Sequence, residues 1–216
     1  MKEKKIFNQD SKERFEDARI IGGNPNGVIN FNNNPYNWAY SLYKKMRARF
    51  WVPSNIDITK DKINYAKLSP AEKRAYDLIL AQLIANDSIQ TNQLMDKINA
   101  YITSPVVNAC IAVQASEEVS HAESYAVMAE DICKDTPRIY SMHERDTELY
   151  SKNIAIEKMF AGLYKENEDP TPEDLLVCFA ANQILERLVF PGGFVIMYRI
   201  GDTMSGTAEM IREINV

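Results

Sequence analysis

The sequence predicts an all-α protein, a bundle of long helices behind an extended arm, and three observations carry that prediction. Apolar residues recur at three- and four-residue steps over several long segments. Those segments open on helix start signals: Ser69-Pro70-Ala71-Glu72, Ser104-Pro105 and Thr171-Pro172-Glu173-Asp174. No strand-period segment competes with them.

Taken in order, residues 1–35 read as an extended arm. Gly22-Gly23-Asn24-Pro25-Asn26-Gly27 and Asn32-Asn33-Asn34-Pro35 are turn sequences, not helix sequences. A helix over about 36–50 follows through Trp38, Leu42 and Met46, and Pro53 with the polar Asp57–Asp61 stretch ends it. The Ser69 capping box opens a helix over about 70–99, and Ser104-Pro105 opens another to about 133. A weaker helical stretch covers about 136–166. The Thr171 cap opens a helix reaching at least Phe190, where Pro191-Gly192-Gly193 is expected to kink or interrupt it. Residues 206–216 read as the opening of a further helix, so 36–216 form one helical domain.

Composition narrows the function classes. The chain has 216 residues, 45% hydrophobic and 25% charged, with only 8 Gly and 9 Pro, which fits a globular core and not a disordered or fibrous chain. A net charge of −5 argues against a nucleic-acid partner, whose phosphates call for a basic surface. No apolar run approaches the roughly 18–20 residues of a membrane span, and Met1-Lys2-Glu3-Lys4-Lys5 leads into no signal-peptide core. Cys110, Cys133 and Cys178 are widely spaced and form no CxxC pair, so a reducing, cytoplasmic setting is expected.

The informative step is to ask where charged residues fall on these helices. Tyr76, Leu80, Leu83 and Leu94 form an apolar stripe, and Asp87 lies on it. In the next long helix Ile111, Gln114, Glu118, His121, Tyr125 and Met128 share a face, so Glu118 and His121 point the same way one turn apart. Glu186 lies in an apolar stripe with Phe179 and Phe190. Each alone has an ordinary explanation: a buried hydrogen bond for Asp87, a surface pair for Glu118 and His121, a basic partner for Glu186. Together they turn three carboxylates and one imidazole toward one interior, which is untenable without positive charge. Bound divalent metal would supply it, and oxygen-rich ligation with a little imidazole suits iron or manganese better than zinc. Helical carboxylate bundles build dinuclear sites in this way. Tyr125 is either a core tyrosine or a redox-active one beside that metal. His143, in a polar neighbourhood, reads as a surface residue.

At these residues the sequence resembles the small, radical-generating subunit of class I ribonucleotide reductase. Asn37-Trp38-Ala39-Tyr40-Ser41-Leu42-Tyr43-Lys44-Lys45-Met46 and Phe50-Trp51-Val52-Pro53-Ser54-Asn55-Ile56-Asp57 resemble the family's entry segment. Asp87-Ser88-Ile89, Glu118-x-x-His121-x-x-x-Tyr125 and Asn182-Gln183-Ile184-Leu185-Glu186 resemble its ligand helices. The resemblance implies a ferritin-like bundle with a dinuclear iron, manganese or mixed Mn/Fe centre. Asp87, Glu118, His121 and Glu186 would be ligands, and Tyr125 would carry a stable radical shielded by Phe190 and Phe194. Trp51 would lie on the electron route to the large subunit, which reduces the ribonucleotide. A ferritin-like oxidase and a metal-free partner-binding fragment are the other classes kept open.

The sequence departs from the family in one respect. The resemblance implies a second Glu-x-x-His beyond Glu186, and none is present; Glu213 is followed three residues later by Val216. The reading is therefore of a bundle incomplete at its C-terminal end. A split subunit is expected, completed by a polypeptide carrying the second Glu-x-x-His and the tail that docks the large subunit; the other explanation is the first part of a longer chain. Further expected partners are the large subunit and a second copy, as a homodimer or higher assembly, with no membrane.

Overall fold

The computed structural model describes residues 1–165, 168–200 and 202–215, so position 216, cited for its missing histidine, lies outside the described residues. Among those residues every named element is helical: α1 (Asn37–Ala48), α2 (Thr59–Lys67), α3 (Pro70–Asn92), α4 (the single turn Asn99–Tyr101), α5 (Pro105–Val127), α6 (Thr136–Arg145), α7 (Thr147–Met159), α8 (Pro172–Ile184), α9 (Phe190–Ile200) and α10 (Ser205–Ile214).

The start signals work as their chemistry dictates. Ser69 N–H donates to Glu72 Oε2 at 2.8 Å and Glu72 N–H to Ser69 Oγ at 3.3 Å, a reciprocal box that opens α3. Thr171 and Asp174 repeat it for α8, at 2.8 and 3.1 Å.

Three expectations need correction. The Asp57–Asp61 stretch was expected to end a helix; instead Asp57 Oδ1 accepts the Thr59 N–H at 2.9 Å, which starts α2. The 136–166 stretch is two helices, because the Asp146 side chain accepts the Glu148 and Leu149 N–H groups at 3.2 Å and begins α7 afresh. Pro191-Gly192-Gly193, expected to kink or interrupt its helix, does not end it. The π-helical turn Leu185–Val189 lies just before it, and α9 runs on to Ile200. A widened turn accommodates a residue that has no N–H and whose ring crowds the carbonyl one turn back. Two more π segments, Gln93–Ile98 and Met128–Cys133, extend α3 and α5.

The chain divides into two compact units. The first comprises Met1–Phe50, Gln90–Glu117 and Met159–Phe179. Its arm is pinned by Thr103, whose N–H reaches Ile20 O at 2.7 Å and whose Oγ1 reaches Arg19 O at 2.8 Å, beside an isolated bridge between Ile21 and Ile102. Gly27, at φ +91°, lets the arm fold on itself, since a Cβ there would lie 2.5 Å from Ile6 O. Leu94, Ile98, Ile102, Phe160 and Leu175 form its core.

The second unit comprises Trp51–Ile89, Glu118–Lys158 and Ala180–Val216. Tyr76, Leu80, Leu83, Tyr125, Met128, Leu185 and Met210 are buried there at 0% exposure. Asp77 joins three elements: it accepts from Tyr65 Oη at 2.7 Å and Arg138 Nη2 at 2.9 Å, and the Cys133 thiol lies 3.6 Å from its Oδ1. The run Pro172–Ile200 is long and apolar enough to cross a bilayer, with mean hydropathy 1.3 over its best window, a length the sequence reading did not anticipate. It carries Glu186 and Arg187 at its middle and buries Leu185, Phe190, Phe194 and Met197 on one face, while a third of its apolar window is buried and Leu188 and Val195 are exposed.

Candidate metal centre

All the inward-facing charges lie in the second unit. The stripe on α3 ends on Asp87, which is 1% exposed. One turn of α5 separates Glu118, 4% exposed, from half-buried His121. His121 Nδ1 lies 3.1 Å from Glu118 Oε2 and 3.8 Å from Asp87 Oδ2. Ligand atoms of Asp87, Glu118 and His121 all fall within 4.8 Å of one another, the spread that one cation can gather. Glu186 enters from the π turn Leu185–Val189 and lines the same cavity, about 230 Å³, with those three residues.

The electrostatics show what this arrangement lacks. Burial, and then the Glu118 charge, push the Asp87 carboxyl well above its ordinary range. The same two causes raise Glu186 to about 7, against the partial relief of His121 and Arg187. Three acids around one imidazole are a donor set that a divalent cation fits, because it removes both the desolvation and the repulsion. The donors are oxygen-rich, which matches iron or manganese.

Tyr125 is 0% exposed and turns its hydroxyl toward Asp87; burial and that carboxylate hold the phenol well above 10. Phe190 and Phe194 line the cavity, their rings 6.1 Å apart and nearly parallel at 13°. Trp51 is half-buried just before the turn Pro53–Asn55 and is not among the residues lining the cavity. His143 lies at the surface with Nδ1 2.6 Å from Tyr140 O. Sequence reasoning missed Gln183, Arg187, Ile214 and Asn215 in the lining. Gln183 sits one turn before Glu186 and was findable from helical spacing, whereas the contribution of Ile214 and Asn215 needed tertiary structure.

Comparison with known proteins identifies the family. The family model described as "Ribonucleotide reductase, small chain" matches residues 28–216. The chain is 36% identical over 215 residues to the ribonucleoside-diphosphate reductase subunit beta of Treponema pallidum, covering 97% of this chain and 60% of that one. It is 31% identical to the subunit beta of Halalkalibacterium halodurans, covering 100% and 62%. The chain thus spans about three fifths of the length of these two relatives. A solved R2 subunit from Clostridium botulinum superposes with a TM-score of 0.91 at 29% identity, covering 100% of this chain and 67% of that one. The family model and the relatives agree: the chain belongs to the ribonucleotide reductase small-chain family.

Proposed function

We propose that this chain is the radical-generating part of a ribonucleoside-diphosphate reductase, with Asp87, Glu118, His121 and Glu186 as metal ligands and Tyr125 as the radical residue. The observation that supports it best is the juxtaposition of the Asp87, Glu118 and His121 donor atoms with a fully buried tyrosine that faces Asp87. Iron or manganese, when bound and met by oxygen or a related oxidant, would supply the oxidising power for a one-electron oxidation of Tyr125.

The residues of the chain do the rest. Asp87, Glu118 and Glu186 would hold the cation by charge, and His121 by its imidazole. The Tyr125 phenol keeps its proton in the resting state, so losing an electron means losing that proton from Oη as well, and Asp87 is the carboxylate it faces. Phe190 and Phe194 exclude water and reductants from the cavity, which a persistent radical requires. Trp51 carries the electron between the site and the large subunit, which reduces the ribonucleotide.

Four ligands come from the described residues, and the sequence holds a single Glu-x-x-His. We propose that the remaining ligands come from a further polypeptide segment. The working assembly is a homodimer bound to the large subunit. A reducing cytoplasm suits its three free, buried cysteines.

The test is an EPR spectrum after anaerobic ferrous loading and exposure to oxygen, with and without a polypeptide carrying the second Glu-x-x-His. A tyrosyl signal in the mixture, lost in Tyr125→Phe, is expected. A signal of unchanged shape and intensity in Tyr125→Phe would overturn the assignment.

A further inference from the structure

A second cavity in the same unit contains none of the four candidate ligands, although it borrows the far face of the π turn that carries Glu186. It measures about 370 Å³, within the size range of small-molecule sites, and is walled by Ile79 of α3, by Leu188 and Val189 of the π turn, and by Ile196 of α9. Gly193 is buried at its base, where an added Cβ would lie 3.3 Å from Ile79 Cγ2, and Gly192 lies exposed beside it, where an added Cβ would meet nothing within 4 Å. One cation enters it, Lys152 of α7. Among the described residues no acid pairs with that ammonium, and burial lowers its pKa from 10.5. Leu188 and Ile196 remain 70% and 42% exposed at the rim.

A lone, partly desolvated ammonium beside an open apolar floor is complementary to one kind of occupant. We propose that this cavity binds an amphipathic monoanion, its acidic head on Lys152 Nζ and its apolar body over Gly192 between Leu188 and Ile196. The neutral Gln82 amide, also in the lining, adds a hydrogen-bonding group and no competing charge. A side chain such as Lys152 can simply lay its stem on an apolar surface with the head in water; that reading gives no preference for anions and no saturable site.

Decane-1-sulfonate, whose charge does not vary with pH, is the probe, with decan-1-ol as its neutral counterpart, both titrated calorimetrically below micelle formation. The expected result is saturable binding of one sulfonate per chain, weakened about tenfold in Lys152→Gln, the loss of one charge-assisted contact. Decan-1-ol should bind more weakly and be indifferent to Lys152→Gln. Gly192→Leu places an apolar side chain in the open space that the apolar body would occupy and should abolish binding of both, while circular dichroism confirms an intact fold. Non-saturable uptake, or equal affinity in wild type and Lys152→Gln, would overturn the proposal. So would undiminished binding in a folded Gly192→Leu variant.

Discussion

Asp61 on α2 accepts hydrogen bonds from the backbone N–H groups of Gly206 and Thr207, at 3.2 and 2.5 Å, and so caps the first turn of α10 from 145 and 146 residues away. Asp61 is 0% exposed, and its anion meets the positive end of the helix dipole. Gly206 is required there, because a Cβ would lie 2.6 Å from Asp57 O. Thr207 continues the contact by sharing a 3.1 Å hydrogen bond with the buried Tyr76 hydroxyl. Replacing Asp61 by Ala should therefore destabilise the protein by about 3 kcal/mol, the scale of two hydrogen bonds to a charged group less relaxation. Asp61→Asn, which keeps one acceptor, should cost about half as much. Urea denaturation of the metal-free protein measures both.

Asp87→Asn should separate folding from metal binding. The variant removes a carboxylate that burial disfavours, so the metal-free protein should be as stable as wild type or more so. Metal retention should fall by more than the roughly 10–100-fold that losing an outer-shell partner costs. Denaturation and metal analysis after gel filtration give the two readouts.

The metal-free protein should lose stability as pH rises toward neutrality. Glu186 titrates at about 7 in the fold against an ordinary 4.5, so the folded state holds the extra proton between those values. Its contribution is fully present below 4.5 and is lost as pH rises through 7. The metal-loaded protein should show the opposite slope, since ligation requires deprotonated carboxylates. Thermal melts of both forms from pH 4.5 to 7.5 check the crossing, and Glu186→Gln should flatten the metal-free curve.

Trp51→Phe and Tyr125→Phe should fail at different steps. With the site complete, Trp51→Phe should keep the tyrosyl EPR signal yet lose nucleotide reduction with the large subunit. Tyr125→Phe should lose both, at a stability cost within about 1 kcal/mol, because only one buried hydroxyl is removed.

The three thiols should be inert in the native protein. Burial raises Cys178 to about 11, and burial together with Asp77 raises Cys133 to about 12; Cys110 is raised by burial too. Since the thiolate is the nucleophile, a thiol reagent at pH 8 should label none of them over minutes and all three in denaturant.

The sequence by itself located most of the long helices and singled out the candidate donors. Capping boxes at Ser69 and Thr171 are local, reciprocal hydrogen bonds, so their residues alone predict where α3 and α8 begin. Asp87, Glu118, His121 and Glu186 were legible because a charge on an apolar stripe breaks the helical pattern, and periodicity exposes the break. Local spacing carries no information about what comes from elsewhere in the chain. That a π turn absorbs Pro191 and that Asp61 caps α10 were settled only by folding, whereas the Asp57–Thr59 bond that starts α2 is local and was open to sequence reading. The tertiary structure alone set the Asp87, Glu118 and His121 donors within 4.8 Å of one another, because inter-helix distance is fixed by packing of the whole core and not by the pattern along any one helix.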